Sequence, residues 1–209
     1  KIFSENKLII LKDPIVDIKN FNILSKEEID KVFIGKKIIT GVGRLTKQKN
    51  FELLINFFSK IEKDYPEYIL IILGEGEERF KLEKMIKNFN LNDKIHLLGY
   101  QDNVFKYLKN SKYFILSSLW EDPGFVLIEA ALSNTNIISS NCPNGPGEIV
   151  VDKNFLFKNN NLDDLHDKFQ KIENNTNNLS IISQKILVKK RIKEFTKFNH
   201  YKNLKNLLN

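Results

Sequence analysis

The sequence is poor in the residues that build covalent or metallic cross-links: its 209 residues include one cysteine, three histidines, one methionine and one tryptophan. The lone Cys142 cannot close an internal disulfide. No group of cysteines and histidines stands at metal-ligand spacing, so neither a disulfide framework nor a structural zinc site is expected. His96, His166 and His200 fall in no motif and read as structural or solvent-facing. Long apolar runs are missing too, since none approaches the ~20 residues that cross a bilayer. The first residues, KIFSENKLII, lack the layout of a signal peptide. These absences point to a soluble, cytosolic protein.

What is present suffices for a core. Hydrophobic residues make up 42% of the chain, and its length holds one large domain or a domain and a half. A net charge of +7 and a pI near 9.2 suit nucleic acid, phosphorylated small molecules or an anionic membrane surface, without choosing among them. Scattered lysines read as solvated helix faces, because lysine is seldom buried. The denser block of Lys185, Lys189, Lys190, Arg191 and Lys193 leaves all three partners open.

Along the chain, short apolar runs alternate with segments of helical period. A short apolar segment from Lys7 to Leu11 and a small helix from Ser25 to Val32 form an entry linker through residue 36. Strands are expected at Ile38–Leu45, Ile69–Leu73, Ile95–Leu98, Tyr113–Leu116, Asn136–Ser139 and Phe155–Phe157. Between them come helices over Phe51–Lys63, Glu77–Asn88, Val104–Leu108, Phe125–Leu132, a start near Pro146, and Leu162–Ile172. Phe80, Leu82, Met85, Ile86 and Phe89 are read as the apolar face of the second. Glu173–Asn178 is a polar loop. Ile181 to Leu208 reads as two helices joined near Asn199, with an apolar stripe of Phe195, Phe198, Tyr201, Leu204 and Leu208 taken as core packing, or else as a face awaiting a further domain. Alternation of this kind implies an α/β fold with a doubly wound parallel sheet, because right-handed crossovers must cover both sheet faces.

In such a sheet the loops after successive strands converge on the carboxyl rim, where ligands bind. Arg44 and Lys49 follow the first strand; a planar guanidinium fork and a compact ammonium suit a diphosphate. Gly74 and Gly76 would let a ligand approach backbone amides, although a lone G-x-G is a weak signal. Gly124, Phe125 and Val126 open a helix whose first N–H groups favour an anion. Glu121 lies in the loop and Glu129 about five residues into the helix, ~7.5 Å along it at ~1.5 Å per residue. Two carboxylates so spaced could accept hydroxyl hydrogen bonds from both ends of one nucleotide sugar.

The run Glu121-Asp122-Pro123-Gly124-Phe125-Val126-Leu127-Ile128-Glu129-Ala130 resembles the E-x7-E motif of retaining, GT-B-fold glycosyltransferases (group 1, or family 4, type). Gly43-Arg44-Leu45 with Lys49, Ile71-Ile72-Leu73-Gly74-Glu75-Gly76, Cys142-Pro143-Asn144-Gly145-Pro146-Gly147-Glu148-Ile149 and Asp13-Pro14-Ile15-Val16-Asp17 resemble further motifs of that family, in its order. Asp122 replaces a usual glycine, and Gly147 stands where many relatives carry arginine. The resemblance implies a Rossmann-like donor domain over residues 1–178. It also implies that helices over 179–209 pack back towards an amino-terminal acceptor domain, absent here, so that the chain alone would be inactive. By it, Arg44 and Lys49 hold the donor diphosphate without a metal ion or other cofactor. Glu121 contacts the donor sugar, Gly43, Gly74, Gly76, Gly124, Phe125 and Val126 line the donor, Glu129 takes the ribose, and Tyr100 and Gln101 border the base. The implied donor is a UDP-linked hexose or N-acetylhexosamine, and the acceptor a glycan or lipid-linked sugar in bacterial surface polysaccharide (lipopolysaccharide or capsule) synthesis. Peripheral attachment to an anionic membrane at its inner face is expected, and nucleic acid is not an expected partner. Rival readings are a degenerate nucleotide-sugar-binding module and a GT-B-fold epimerase.

Overall fold

The computed structural model describes residues 11–175 and 179–208. Of the expected segments, residues 7–10 of the apolar entry segment, Thr176–Asn178 of the polar loop and the side chain of Leu208 lie outside the described residues. Six strands form one fully parallel sheet: β1 (Lys37–Val42), β2 (Tyr68–Leu73), β3 (Ile95–Leu97), β4 (Tyr113–Leu116), β5 (Asn136–Ser140) and β6 (Leu156–Phe157). Their order across the sheet is β3-β2-β1-β4-β5-β6, so the winding direction reverses between β1 and β4. This is a Rossmann-like, doubly wound sheet, and the reversal opens a crevice at the carboxyl ends of β1 and β4.

The central strands read as unbroken apolar runs because both sheet faces are covered. Ile39, Leu70 and Ile72 pack on one side, against α2 (Phe51–Ile61) and α7 (Leu162–Glu173). Ile38, Ile69, Ile71 and Leu73 pack on the other with Phe33 and Tyr107. Helix α2 is the firmest cover: Leu54, Ile55, Phe57, Phe58 and Ile61 are completely buried, each contributing about 1.5–3 kcal/mol of transfer free energy. The remaining helices are α3 (Arg79–Asn88), α4 (Phe105–Asn110), α5 (Val126–Leu132), α6 (Pro146–Ile149), α8 (Leu179–Ile192) and α9 (Lys197–Leu208). Helix α8 lies on α5 and α6 and adds Val188 and Ile192 to the main core, while buried Gln184 donates to the Ile137 carbonyl of β5 at 2.8 Å.

Three expectations are corrected. The entry helix, α1, is Ile18–Leu24 rather than Ser25–Val32, because the Asp17 carboxylate accepts the Asn20 amide at 3.0 Å and starts the helix there. Ser25 ends it; Ile29 and Phe33 are buried from a loop and a single 3-10 turn. In α3 the buried pair is Leu82 and Ile86, whereas Phe80 is 78% exposed and Phe89 40%. Phe80 precedes Leu82 by two residues, which turns it towards the opposite face. The last two helices join at Lys193–Thr196 rather than near Asn199, since the Thr196 hydroxyl accepts the Asn199 amide and opens α9 at Lys197. Phe195 is core, but Phe198 and Tyr201 are 75% and 68% exposed, so the stripe does not pack inward.

Candidate functional site

Past the carboxyl rim, the loops after β1, β2 and β3 continue to bond one another. Gly43 N–H donates to the Leu73 carbonyl at 3.0 Å, Leu45 N–H to Glu75 at 2.9 Å, Glu78 N–H to Leu45 at 2.9 Å, and Gly74 N–H to Gly99 at 2.7 Å. Gly74 and Gly76 make this zipper possible. A Cβ on Gly74 (φ +140°) would lie 1.9 Å from the Gly43 carbonyl oxygen, and one on Gly76 would lie 2.4 Å from that of Leu45. These glycines thus permit a close approach to a neighbouring loop of the same chain, and Gly74 also lines the hollow beside it.

The zippered loops enclose a cavity of about 240 Å³ lined by Val42, Gly43, Arg44, Leu73, Gly74, Glu75, Tyr100, Gln101 and Val104. Arg44 is exposed at its mouth, and among the described residues its guanidinium has no hydrogen-bond or ion-pair partner. The Gln101 side chain is oriented from within the chain, donating to the Leu98 carbonyl at 2.9 Å and accepting from the Tyr107 hydroxyl at 3.2 Å, which leaves one N–H and one lone pair open at the border of the cavity.

Lys49 does not stand beside Arg44 in this cavity. Its ammonium donates to Glu121 Oε1 at 2.6 Å, across the crevice between the β1 and β4 loops. Its aliphatic stem lies over Gly43, where a Cβ would meet it at 3.0–3.2 Å. Glu121 is 3% exposed and its Oε1 also accepts from Ser118 Oγ; its own N–H donates to the Pro143 carbonyl at 3.1 Å. Oε2 has no hydrogen-bond partner among the described residues. The two loops are further stitched by Ser117 Oγ to the Lys49 carbonyl (2.7 Å), Leu119 N–H to Gln48 (2.8 Å) and Gln48 Nε2 to Trp120 (2.9 Å). Ser118 and the Pro143 carbonyl were not legible as site groups from the sequence; the polar pair Ser117-Ser118 ending an apolar strand was the available signal.

Helix α5 begins one residue later than expected, at Val126. No side chain caps it, and among the described residues the N–H groups of Gly124, Phe125 and Val126 donate to nothing. Phe125 and Glu129 line a second hollow of about 230 Å³ with Ile15, Asp17, Asn20, Phe105, Ile128 and Leu132. The Glu129 carboxylate has no partner among the described residues, and burial pushes its pKa up to about 7. The rim thus holds a free guanidinium on one hollow, an isolated acid on a second, and a largely buried ammonium–carboxylate pair and three free backbone donors in the loops beside them. Among the described residues no three His, Cys, Asp or Glu side chains are grouped to hold a metal ion, and no helix is long and apolar enough to cross a membrane.

Residues 25–191 match the profile of glycosyl transferases group 1. An uncharacterised glycosyltransferase of Methanocaldococcus jannaschii is 40% identical over 140 residues, 65% of this chain and 34% of that protein. The Campylobacter jejuni N-acetylgalactosamine-N,N'-diacetylbacillosaminyl-diphospho-undecaprenol 4-alpha-N-acetylgalactosaminyltransferase is 31% identical over 140 residues, 67% of this chain and 37% of its own. The chain spans about a third of the length of these relatives. A crystal structure of Staphylococcus aureus TarM in complex with Fondaparinux, alpha-GlcNAc-glycerol and UDP superposes with a TM-score of 0.73 at 26% identity, over 88% of this chain and 37% of TarM. With the profile matching most of its length, the chain belongs to the group 1 glycosyl transferase family.

Proposed function

We propose that this chain is the donor-binding, carboxyl-terminal half of a retaining GT-B glycosyltransferase. It takes a hexose or N-acetylhexosamine from a nucleotide sugar, UDP-linked, and delivers it to a glycan or lipid-linked acceptor in bacterial surface polysaccharide synthesis at the inner, cytoplasmic face of the membrane. The acceptor side belongs to an amino-terminal domain. One observation carries the reading: Arg44, Glu129 and the amides of Gly124–Val126 stand without internal partners among the described residues, with Arg44 lining one hollow of the rim and Phe125 and Glu129 lining another. A largely buried acid without a partner is costly unless a ligand completes it, and an exposed guanidinium beside a cavity is available to an anion. The UDP bound to TarM and the lipid-linked substrate named for the Campylobacter relative supply the ligand class.

In this reading the base enters the 240 Å³ cavity bordered by Tyr100 and Gln101, and Glu129 takes the ribose hydroxyls. The diphosphate meets Arg44, Lys49 and the first amides of α5, and Glu121 Oε2 accepts from a donor-sugar hydroxyl. Lys49 must then share its ammonium between Glu121 and the diphosphate. As the bond from the anomeric carbon to the diphosphate oxygen breaks, its electron pair stays on that oxygen. Fixed cations and backbone donors stabilise this charge without a metal ion. The acceptor hydroxyl attacks the same face and passes its proton to the departing phosphate.

Calorimetric titration of UDP tests the site. One molecule should bind, and both Arg44→Ala and Glu129→Ala should weaken binding by about tenfold to a hundredfold, the range for losing a charge-assisted hydrogen bond. Equal heats from all three proteins would remove the assignment.

A further inference from the structure

Among the described residues, Lys49–Glu121 is the one ion pair with both side chains enclosed, at 15% and 4% exposure. In every other pair at least one partner is a third or more exposed. Taking one charge from an enclosed pair leaves the other poorly hydrated, which is costly.

The loops hold this pair from both sides. The Lys49 carbonyl accepts from Ser117 Oγ at 2.7 Å, and the Lys49 stem crosses Gly43, which also lines the 240 Å³ cavity. Glu121 is fixed at its N–H by the Pro143 carbonyl and at Oε1 by Ser118 Oγ, and the Ser118 carbonyl accepts from Ser140 Oγ at 2.7 Å. Two N–H groups of the ammonium and Glu121 Oε2 have no partner among the described residues. The pair therefore keeps a donor side and an acceptor side open.

We propose that the Lys49–Glu121 pair discriminates a sugar-loaded nucleotide from the spent one, by making the diphosphate compete with Glu121 for the Lys49 ammonium. This rests on the diphosphate position of the proposed function. A diphosphate beside Gly43 and Arg44 brings further negative charge to a rim where an enclosed carboxylate already occupies the ammonium. One ammonium does not neutralise both. With a nucleotide sugar, a sugar hydroxyl donates to Oε2 and replaces part of what Glu121 gives up. With the nucleoside diphosphate alone that hydroxyl is missing, and the terminal phosphate, no longer esterified, carries additional charge near neutral pH. Glu121 thus favours the loaded donor and promotes release of the product. A pair that only braced Lys49 for the phosphates would act in the opposite sense, because removing the Glu121 charge would then weaken the binding of a spent nucleotide.

Calorimetry of the 209-residue chain with UDP, and with UDP-glucose, UDP-galactose and their N-acetylated counterparts, tests the proposal. Glu121→Gln keeps an acceptor for Lys49 and Ser118 and removes the charge. It should bind UDP about tenfold more tightly than the parent, and the preference for the best-bound sugar nucleotide over UDP should fall by about the same factor or more. Ser118→Ala keeps the charge and removes a donor that holds it, so UDP should bind this variant no more tightly than the parent. Tighter binding there would show that a loosened loop, not a lost charge, sets the affinity, and would overturn the proposal even if Glu121→Gln did not fold. UDP affinity of Glu121→Gln equal to or below that of the parent overturns it and leaves the nucleotide site standing. So does a parent that binds UDP and none of the sugar nucleotides. Absence of binding by every nucleotide to every protein removes the site and the discrimination together.

Discussion

The two ends of the central strands use the same kinds of residue to opposite ends. At the amino rim, Glu173 accepts from Lys112 at 2.6 Å and from the Tyr113 hydroxyl at 2.7 Å, with Lys37 at 3.7 Å. Both lysines also lie over the Tyr68 ring, at 5.3 and 5.6 Å from its centre. Burial opposes ionisation of Glu173, but these partners outweigh it and hold its pKa below the ordinary carboxylate value. At the carboxyl rim, Arg44 and Glu129 have no partners among the described residues, and Glu129 is pushed the other way. Charges satisfied within the chain stabilise the fold, and charges left unsatisfied beside a cavity are available to a ligand. Substitutions at the two rims should therefore separate stability from binding.

The largest stability loss is expected at Gly74→Ala, where the zipper of the β1 and β2 loops is tightest. A Cβ 1.9 Å from the Gly43 oxygen, at a backbone φ of +140°, should cost about 3 kcal/mol or more in chemical denaturation and disturb the nucleotide cavity with it. Unchanged stability would mean that the loops part freely. At the opposite rim, Glu173→Gln should cost about 1–2 kcal/mol near neutral pH, since buried Tyr113 and partly exposed Lys112 would share one neutral acceptor. Because the folded pKa of Glu173 is lowered, its contribution is present above the unfolded value of 4.5 and fades as pH falls below it. UDP affinity should not change. A loss of affinity comparable to that of Arg44→Ala would break the division between the rims.

The strands were legible because parallel strands buried on both faces must be apolar throughout, as Tyr68–Leu73 and Tyr113–Leu116 are. Phe80 misled because a helix of mixed period presents more apolar residues than the sheet can cover. The motifs fall in loops that the structure gathers at the carboxyl rim, but three features of that rim depend on topology or burial that spacing does not encode. Lys49 and Glu121 meet only because β1 and β4 are neighbours, 72 residues apart in the chain. The isolation of Glu129 comes from the packing of α1 and α4 around it. Gly74 and Gly76 announced a close approach, and only the coordinates say to what.

Glu129 sharpens the comparison through pH. A carboxyl raised from 4.5 to about 7 binds its proton more tightly in the folded chain, so the ligand-free protein loses stability as pH rises through that window. The loss should be about 1–3 kcal/mol. Glu129→Gln keeps the shape and removes the titration. Its melting temperature should exceed that of the parent at pH 8 by more than at pH 5, and parallel pH profiles would show that the acid is hydrated in solution.

The smallest stability effect belongs to Arg44→Ala, and for that reason it discriminates best. An exposed guanidinium with no internal partner contributes little to folding, so the change should stay within about 0.5 kcal/mol. The same substitution removes the only arginine lining the larger cavity and should still weaken UDP binding about tenfold or more. A loss of binding without a loss of stability is the signature of a charge held for a ligand. If instead both fall together, Arg44 is part of the loop's own architecture, and the diphosphate must rest on Lys49 and the amides of α5.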